Sequence, residues 1–182
     1  MSHDKKIEPL GGGEPFSGSQ FSVRAERFRH EDGEEVEREY VHRVAAAAIV
    51  AYDEQHVWLV RQPREAILQY TLELPAGKLD VAGESPLDTA RRELAEEIAQ
   101  EADHWEQIEC YHPSSGYSDE LVHIFAATGL RPCDDAEPDA GERIEIVRWP
   151  LADLDAAIAA TNDAKTLIGL GWLRASVAQT SP

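Results

Sequence analysis

The chain has 182 residues, of which 42% are hydrophobic, and this length fits one domain with a full-sized core better than two independent cores. No stretch approaches the roughly 18 consecutive apolar residues that a membrane helix needs, so no membrane association is expected. The formal net charge is −18, which disfavours a nucleic-acid partner because phosphate binding needs a basic surface.

The strong acidity leaves two interpretations open. One is adaptation to high salt, where screening weakens the self-repulsion of the chain, and the other is an ordinary acidic protein. The N-terminal stretch lacks the apolar segment of a signal peptide, so we expect a cytoplasmic protein. Cys110 and Cys133 are too few for a disulfide framework.

The first elements in chain order predict an arm and a small β subdomain. Residues 1–19 are polar and rich in Gly and Pro, which predicts a flexible arm. Residues 20–43 contain two strand-like segments on either side of the turn signal Asp32-Gly33, which predicts a β-hairpin.

Residues 44–182 predict the main domain. Apolar and alternating runs indicate strands at VAAAAIVAYD, HVWLVRQPR, Leu72 to Leu74, IECYHPSS, LVHIFAATGL and IEIVRW. A long helix follows PAGKLDVAGE, and the C-terminal segments LADLDAAIAA and AKTLIGLGWLRASVA indicate two more helices. This order predicts a mixed sheet with helices packed on it.

The long helix has a well-specified start. Ser85 suits the N-cap, Pro86 the first helical position, and Asp88 the acidic position of a capping box. At helical spacing the apolar side chains fall on one stripe that faces the core: Leu87, Ala90, Leu94 and Ile98.

Three acids of this helix, Glu93, Glu96 and Glu97, share one arc of about 100°. Glu93 and Glu97 repel each other at this spacing, so helix stability alone does not favour the pair. Two interpretations stay open on spacing: a solvated face of an acidic protein, or carboxylate ligands for a hard divalent cation.

The stretch AGKLDVAGESPLDTARRELAEEI resembles the Nudix box, whose pattern is Gly, five residues, Glu, seven residues, then Arg-Glu-aliphatic-x-Glu-Glu-x-Gly-aliphatic. The matching positions are Gly77, Glu84, Arg92, Glu93, Leu94, Glu96 and Glu97. Six residues instead of five separate Gly77 from Glu84, and Gln100 stands where the family has an aliphatic residue. Because Ala99 replaces the terminating Gly, we expect the helix to continue toward Asp103.

The resemblance implies an α/β/α sandwich with a mixed sheet, together with a small antiparallel N-terminal β subdomain. It implies hydrolysis of a nucleoside diphosphate derivative with Mg²⁺ or Mn²⁺, at two or more ions per site. Glu93 and Glu97 are the implied principal ligands, Glu96 shares a metal or its water, and the carbonyl of Ala76 adds a ligand. Glu84 and Arg92 are implied to form a salt bridge that fixes the loop against the helix.

Three further segments resemble the ADP-ribose pyrophosphatase branch of this family: VWLVRQPREAILQYTLELPAGKLD, SSGYSDELVHIFAATGL and GERIEIVRW. In that branch an Arg at the position of Arg64 reaches the phosphates or terminal ribose of the substrate. A surface ion pair is the alternative for Arg64. Glu142 is implied to complete the metal site or act as general base, and a solvated loop acid is its alternative.

The resemblance also implies contacts to the substrate from two other regions. Gly116 permits close backbone approach, and Ser118 and Glu120 bond the substrate or order their loop, although a plain turn explains these polar residues equally well. The branch forms homodimers that exchange N-terminal strands, so Phe21 is the candidate to stack on adenine and Arg38 to reach the partner's site. A core position for Phe21 is the alternative.

The reaction that these resemblances imply is hydrolysis of ADP-ribose to AMP and ribose 5-phosphate. The first alternative is another nucleotide sugar, such as GDP-mannose or UDP-glucose. The second is a non-catalytic ADP-ribose sensor. Sensors of that kind carry an added DNA-binding domain, and the short segment after Trp172 leaves no room for one.

Overall fold

The computed structural model describes residues 6–133 and 143–180, with Thr180 described by its backbone alone. The described residues form two compact units. The smaller contains the chain up to Val44 together with His112–Leu121, and the larger contains Ala45–Tyr111 and the chain from Val122 onward. The sequence-based boundary near residue 43 therefore recurs, but the smaller unit also includes a loop from the middle of the chain.

The smaller unit is built on an antiparallel sheet of three strands, in the order β1 (Glu8–Ser17), β2 (Ser22–Arg29) and β3 (Glu35–His42). The predicted hairpin is confirmed as β2 and β3, which pair from Ser22 opposite His42 to Arg29 opposite Glu35. The prediction of a flexible arm is wrong for the residues of β1. The loop 112–121 joins the unit where Val41 N–H donates to the Tyr117 carbonyl at 2.8 Å.

The glycines of β1 explain the error. A Cβ at Gly12 would lie 2.0 Å from the backbone oxygen of Ala25, so this glycine lets two strands approach closely. Gly11 has a φ of 85°, next to a register shift between Pro9 and Gly11. Glycines that indicate flexibility in sequence are thus required here by strand pairing and a bulge.

The larger unit contains seven strands and three helices among the residues described. The strands are β4 (Ala46–Tyr52), β5 (His56–Arg64), β6 (Gln69–Glu73), β7 (Ala76–Lys78), β8 (Gln100–Tyr111), β9 (Val122–Pro132) and β10 (Glu145–Pro150). The main path runs β10-β5-β4-β9-β8, with β6 on β5 and β7 on β4. β4 and β9 are parallel and the other pairs antiparallel, so the sheet is mixed.

The helices pack on both faces of this sheet. They are α1 (Pro86–Ile98), α2 (Leu154–Ala160) and α3 (Ala164–Thr180). One apolar layer joins alternate residues of β4 to α1, including Ile49 and Leu94, while the other joins the intervening residues to α2 and α3, including Val50 and Leu170. This arrangement confirms the predicted α/β/α sandwich. In the described part of the chain, no helix has the length and apolar character needed to cross a membrane.

The start of α1 is confirmed and its predicted end is wrong. Ser85 is the N-cap and forms a capping box with Asp88. The helix stops at Ile98 instead of continuing to Asp103, because Ala99 adopts the left-handed conformation at φ 52° and donates its N–H to the last turn. The next residue, Gln100, already pairs with β9 as part of β8, so sheet pairing imposes the stop that a glycine usually provides.

Candidate active site

Two acids of α1 are buried although they are charged. Glu93 is 9% exposed and Glu97 is 8% exposed, while the Glu96 side chain is 27% exposed. A solvated acidic face would leave all of these side chains in water. The burial therefore rejects that interpretation for Glu93 and Glu97, because a carboxylate is costly to bury without partners.

Strand β7 holds the two buried acids from the other side. The Ala76 N–H donates to Glu97 Oε2 at 2.9 Å, and Ala76 itself pairs with Ala48 of β4. At Gly77, an added Cβ would lie 1.8 Å from Glu93 Oε1. The carboxylate of Glu93 thus packs directly on the glycine backbone, and no other residue type leaves room for it there.

Arg92 bonds three carboxylates at once. Its Nε donates to Glu84 Oε1 at 3.2 Å, and its Nη1 donates to Glu93 Oε1 at 2.6 Å and Glu96 Oε2 at 2.8 Å. Thr89 Oγ1 also donates to Glu84, at 3.0 Å. Burial lowers the pKa of Arg92, but the carboxylates outweigh burial and raise that pKa above its usual value. The predicted Glu84–Arg92 salt bridge is confirmed.

The donor set fits a hard divalent cation. Among the residues described, no three acidic, His or Cys side chains already converge as ligands, and Arg92 Nη1 bonds both Glu93 and Glu96. The guanidinium marks that place as one that favours positive charge. Carboxylate oxygens are the ligands that Mg²⁺ and Mn²⁺ prefer. The absence of a side chain at Gly77 leaves the room that the Glu93 carboxylate occupies.

The alternative interpretation of Arg64 was a surface ion pair. Arg64 does form an ion pair, but its partner, Glu73, is buried. Arg64 Nε and Nη2 donate to the two carboxylate oxygens of Glu73, each at 2.6 Å, and Glu73 is 2% exposed. Thr71 Oγ1 and Lys165 Nζ also donate to Glu73. Burial raises the pKa of Glu73, but the bonds from Arg64 and Lys165 outweigh it and lower the pKa to about 2.

The predicted loop residues lie in the smaller unit. Ser118 Oγ accepts the Glu120 N–H at 3.2 Å, and Glu120 Oε1 lies 3.4 Å from Arg43 Nη1. A Cβ at Gly116 would meet nothing within 4 Å, so the surrounding described residues do not demand a glycine at that position. These contacts order the loop and leave its contact with substrate a prediction.

The other predicted substrate residues are also in the smaller unit. Phe21 is 43% exposed, and its ring centroid lies 5.6 Å from that of Phe16, so the alternative of a core position is wrong. Arg38 donates to the Glu37 carbonyl at 2.8 Å. Glu142, the predicted loop acid, lies outside the described residues, while its neighbour Glu145 is on β10 and 3.5 Å from Arg61.

Sequence reasoning missed Glu73, Lys165 and Asp119. Asp119 accepts the Arg43 N–H at 3.0 Å and bonds His42, which lowers the pKa of Asp119 although burial raises it. A charged residue between two leucines, as in LEL around Glu73, is the one signal that the sequence offered. A buried strand rarely contains an unpaired acid, so such a residue indicates a cationic partner elsewhere.

Comparison with known proteins identifies the family to which this geometry belongs. The NUDIX domain profile matches residues 41–168, and the chain therefore belongs to the Nudix family. Nudix hydrolases generally use divalent metal ions.

Two curated relatives and one solved structure narrow the class. The chain is 39% identical to the ADP-ribose pyrophosphatase of Mycobacterium tuberculosis (strain ATCC 25618 / H37Rv), over 83% of this chain and 73% of the relative. It is 33% identical to the ADP-ribose pyrophosphatase of Bacillus subtilis (strain 168), over 87% and 88%. A crystal structure of an ADP compounds hydrolase superposes with a TM-score of 0.83 at 25% identity, covering 97% of this chain and 96% of that one.

Proposed function

We propose that the chain hydrolyses the pyrophosphate bond of ADP-ribose, giving AMP and ribose 5-phosphate. The observation that carries this proposal is the buried pair Glu93 and Glu97, packed against the Gly77 backbone and the Ala76 N–H beside Arg92. A pair of buried acids is costly for the fold alone and useful for holding a cation. The two relatives named ADP-ribose pyrophosphatase support the choice of substrate.

In this proposal each site holds two or more Mg²⁺ or Mn²⁺ ions. Their protein ligands are Glu93, Glu96, Glu97 and the carbonyl of Ala76. When bound, such ions neutralise charge on the pyrophosphate and make water a better nucleophile near neutral pH. Arg92 anchors the loop before α1 through Glu84 and limits the rotamers of Glu93 and Glu96. The protein thus contributes carboxylates at fixed positions, and its side chains form no covalent bond to the substrate in this proposal.

Arg64 binds a substrate phosphate in this proposal, because a guanidinium matches phosphate geometry. Glu142 completes the metal site or takes a proton from the attacking water. Gly116, Ser118 and Glu120 approach the substrate from their loop.

The proposed active form is a homodimer with exchanged N-terminal strands, in which Phe21 stacks on adenine and Arg38 reaches the partner's site. The exposed Phe16 and Phe21 pair supports this assignment, because two aromatic rings left in solvent are typical of a surface that a ligand or partner covers.

A substrate panel tests the function. Purified protein is incubated with ADP-ribose, GDP-mannose, UDP-glucose, NADH or dinucleoside polyphosphates, each with Mg²⁺ or Mn²⁺, and phosphate release is followed after phosphatase coupling. We expect ADP-ribose to give the highest kcat/KM. A higher value for GDP-mannose or UDP-glucose would replace the substrate but keep the reaction, and no turnover with any member would favour an ADP-ribose sensor.

A further inference from the structure

A buried acid on β6 binds the one arginine that the proposed function assigns to phosphate. Glu73 is 2% exposed and accepts hydrogen bonds from Arg64, Lys165 and Thr71. Lys165 is itself only 13% exposed and lies 3.0 Å from Asp163. Every oxygen of Glu73 is therefore bonded, and the acid has little freedom to change its rotamer.

Strand register places Arg64 on the face of the sheet that α1 covers. Glu73 pairs with Val60, and Val60 belongs to the apolar layer that contains Leu94 of α1. Arg64 follows Val60 by four residues on the same strand, so the two side chains point to the same face. Arg64 therefore extends from the edge of the layer that positions the α1 acids.

One end of the Arg64 guanidinium stays open for a ligand. Nε and Nη2 both bond Glu73, whereas Nη1 makes no hydrogen bond within residues 6–133 and 143–180. The Arg64 side chain is 45% exposed, so water or a ligand reaches it. The negative charge of Glu97 is close enough to help raise the pKa of Arg64, after the larger effect of the Glu73 hydrogen bonds.

Stability alone does not account for this arrangement, although removing one partner of a buried pair is costly. A buried ion pair typically contributes no more than well-packed apolar residues of the same volume, because desolvation offsets the attraction. A fork bonded through two of its nitrogens, by contrast, loses rotamer freedom before any ligand arrives. Preorganisation of that kind is worth most where a group must meet a transferring phosphate at a fixed position.

We propose that Glu73 is a positioning residue that holds Arg64 with Nη1 directed at the substrate pyrophosphate, and that Lys165 and Thr71 fix Glu73 in turn. This inference rests on the proposed function. Glu73 touches no substrate atom. Its contribution to turnover passes entirely through Arg64, and this distinguishes it from an acid that supports the fold alone.

A double-mutant cycle tests the inference. Arg64→Ala is expected to lower kcat/KM for ADP-ribose about 100-fold and Glu73→Gln about tenfold, chiefly through KM. In the double variant Glu73→Gln should add less than about a twofold further loss, because the residue through which it acts is gone. Arg64→Lys should not restore the rate, since an ammonium lacks the fork that Glu73 binds.

Two further measurements separate positioning from folding. Dissociation constants for ADP-ribose, measured by calorimetry in EDTA, should follow the same cycle without any metal-dependent step. Thr71→Val removes one bond to Glu73 and is a milder variant if Glu73→Gln does not fold. Glu101→Gln is the matched control, because Glu101 bonds Arg131 in an exposed pair and its loss should leave kcat/KM unchanged.

The outcomes distinguish this inference from the proposed function. If the wild type hydrolyses ADP-ribose but the losses from Arg64→Ala and Glu73→Gln multiply in the double variant, Glu73 acts on the fold and the positioning role is overturned. If the wild type neither binds nor hydrolyses ADP-ribose, the proposed function fails and the inference fails with it.

Discussion

Two clusters in the larger unit each join an arginine to acids, and they differ in charge balance. Around Arg92, three carboxylates (Glu84, Glu93 and Glu96) accept hydrogen bonds from one guanidinium, so these four groups together carry a formal charge of −2. Around Arg64, the acids Glu73 and Asp163 are balanced by Arg64 and Lys165, for a net charge of zero.

The difference shows what each cluster is able to bind. An excess of negative charge that is shielded in part from solvent is relieved by added cations, so the Arg92 cluster is suited to metal. The Arg64 cluster has no charge to relieve, and its exposed group is a hydrogen-bond donor. A pyrophosphate with bound divalent ions suits both clusters. Its metal ions are partners for the carboxylates around Arg92, and its oxygens are acceptors for the Arg64 guanidinium.

The largest expected effect comes from neutralising Glu97, the buried acid one helical turn after Glu93 of the Arg92 cluster. Glu97→Gln should lower kcat for ADP-ribose about 1,000-fold, because an amide oxygen is a weaker ligand for a hard cation. The melting temperature should change little, since the amide oxygen still accepts the Ala76 N–H. A variant that keeps more than about a tenth of the wild-type rate, which means a barrier raised by less than about 1.4 kcal/mol, would contradict a ligand role for Glu97.

The second prediction concerns Glu73→Gln, which removes one of the two negative charges that balance Arg64 and Lys165. The pKa of Glu73 is lowered from 4.5 to about 2, so its contribution to stability is complete above pH 4.5 and is lost as the pH falls from 4.5 toward 2. This shift corresponds to about 3 kcal/mol. Urea unfolding should show a gap between wild type and Glu73→Gln at pH 7 that narrows across this interval, whereas parallel curves would exclude the charged pair as its source.

The third prediction displaces an acid without changing any charge. Gly77→Ala puts a Cβ where Glu93 Oε1 lies, so we expect at least a tenfold loss of kcat/KM and a loss of about 2 kcal/mol of stability. Gly171→Ala is the matched control, since its Cβ meets nothing within 4 Å inside α3. That substitution should raise stability by about 0.5 to 1 kcal/mol. Equal effects from the two alanines would show that Gly77 has no special role.

The smallest expected effect leaves both clusters in place. Ala99→Gly should stabilise the protein by about 0.5 to 1 kcal/mol, because Ala99 adopts a φ of 52° that costs an L-residue energy. Ala95→Gly, four residues earlier in α1, should instead destabilise by about 1 kcal/mol. Urea denaturation measures both, and a change of the same sign at the two sites would contradict the left-handed assignment. Neither variant should change kcat/KM by more than about twofold.

The sequence predicted those parts of the fold and site that depend on near neighbours. The start of α1 was predictable because Ser85 and Asp88 bond each other across a single turn. The Glu84–Arg92 bridge was predictable because both residues lie in one spaced motif. The layered sandwich followed from the alternation of strands and helices and from the family resemblance.

The parts that sequence reasoning missed depend on distant pairing. The end of α1 is imposed by pairing of β8 with β9, and Ala99 by itself gives no stop signal. Strand β1 contains glycines that indicate flexibility until their partner strand is known. Glu73 and Lys165 are 92 residues apart in the chain, so no local pattern relates the buried acid to its cation.

The three-residue strand β7 has a consequence for how the site fluctuates. β7 pairs with β4, whose residues Ala47 to Ala51 are completely buried at the centre of the sheet. The amide of Ala76 is therefore bonded to Glu97 while its strand is anchored to the most protected part of the domain. In hydrogen exchange, that amide should open with the whole larger unit and not by local fraying, so the Glu97 carboxylate is bonded to backbone that moves only when the domain unfolds.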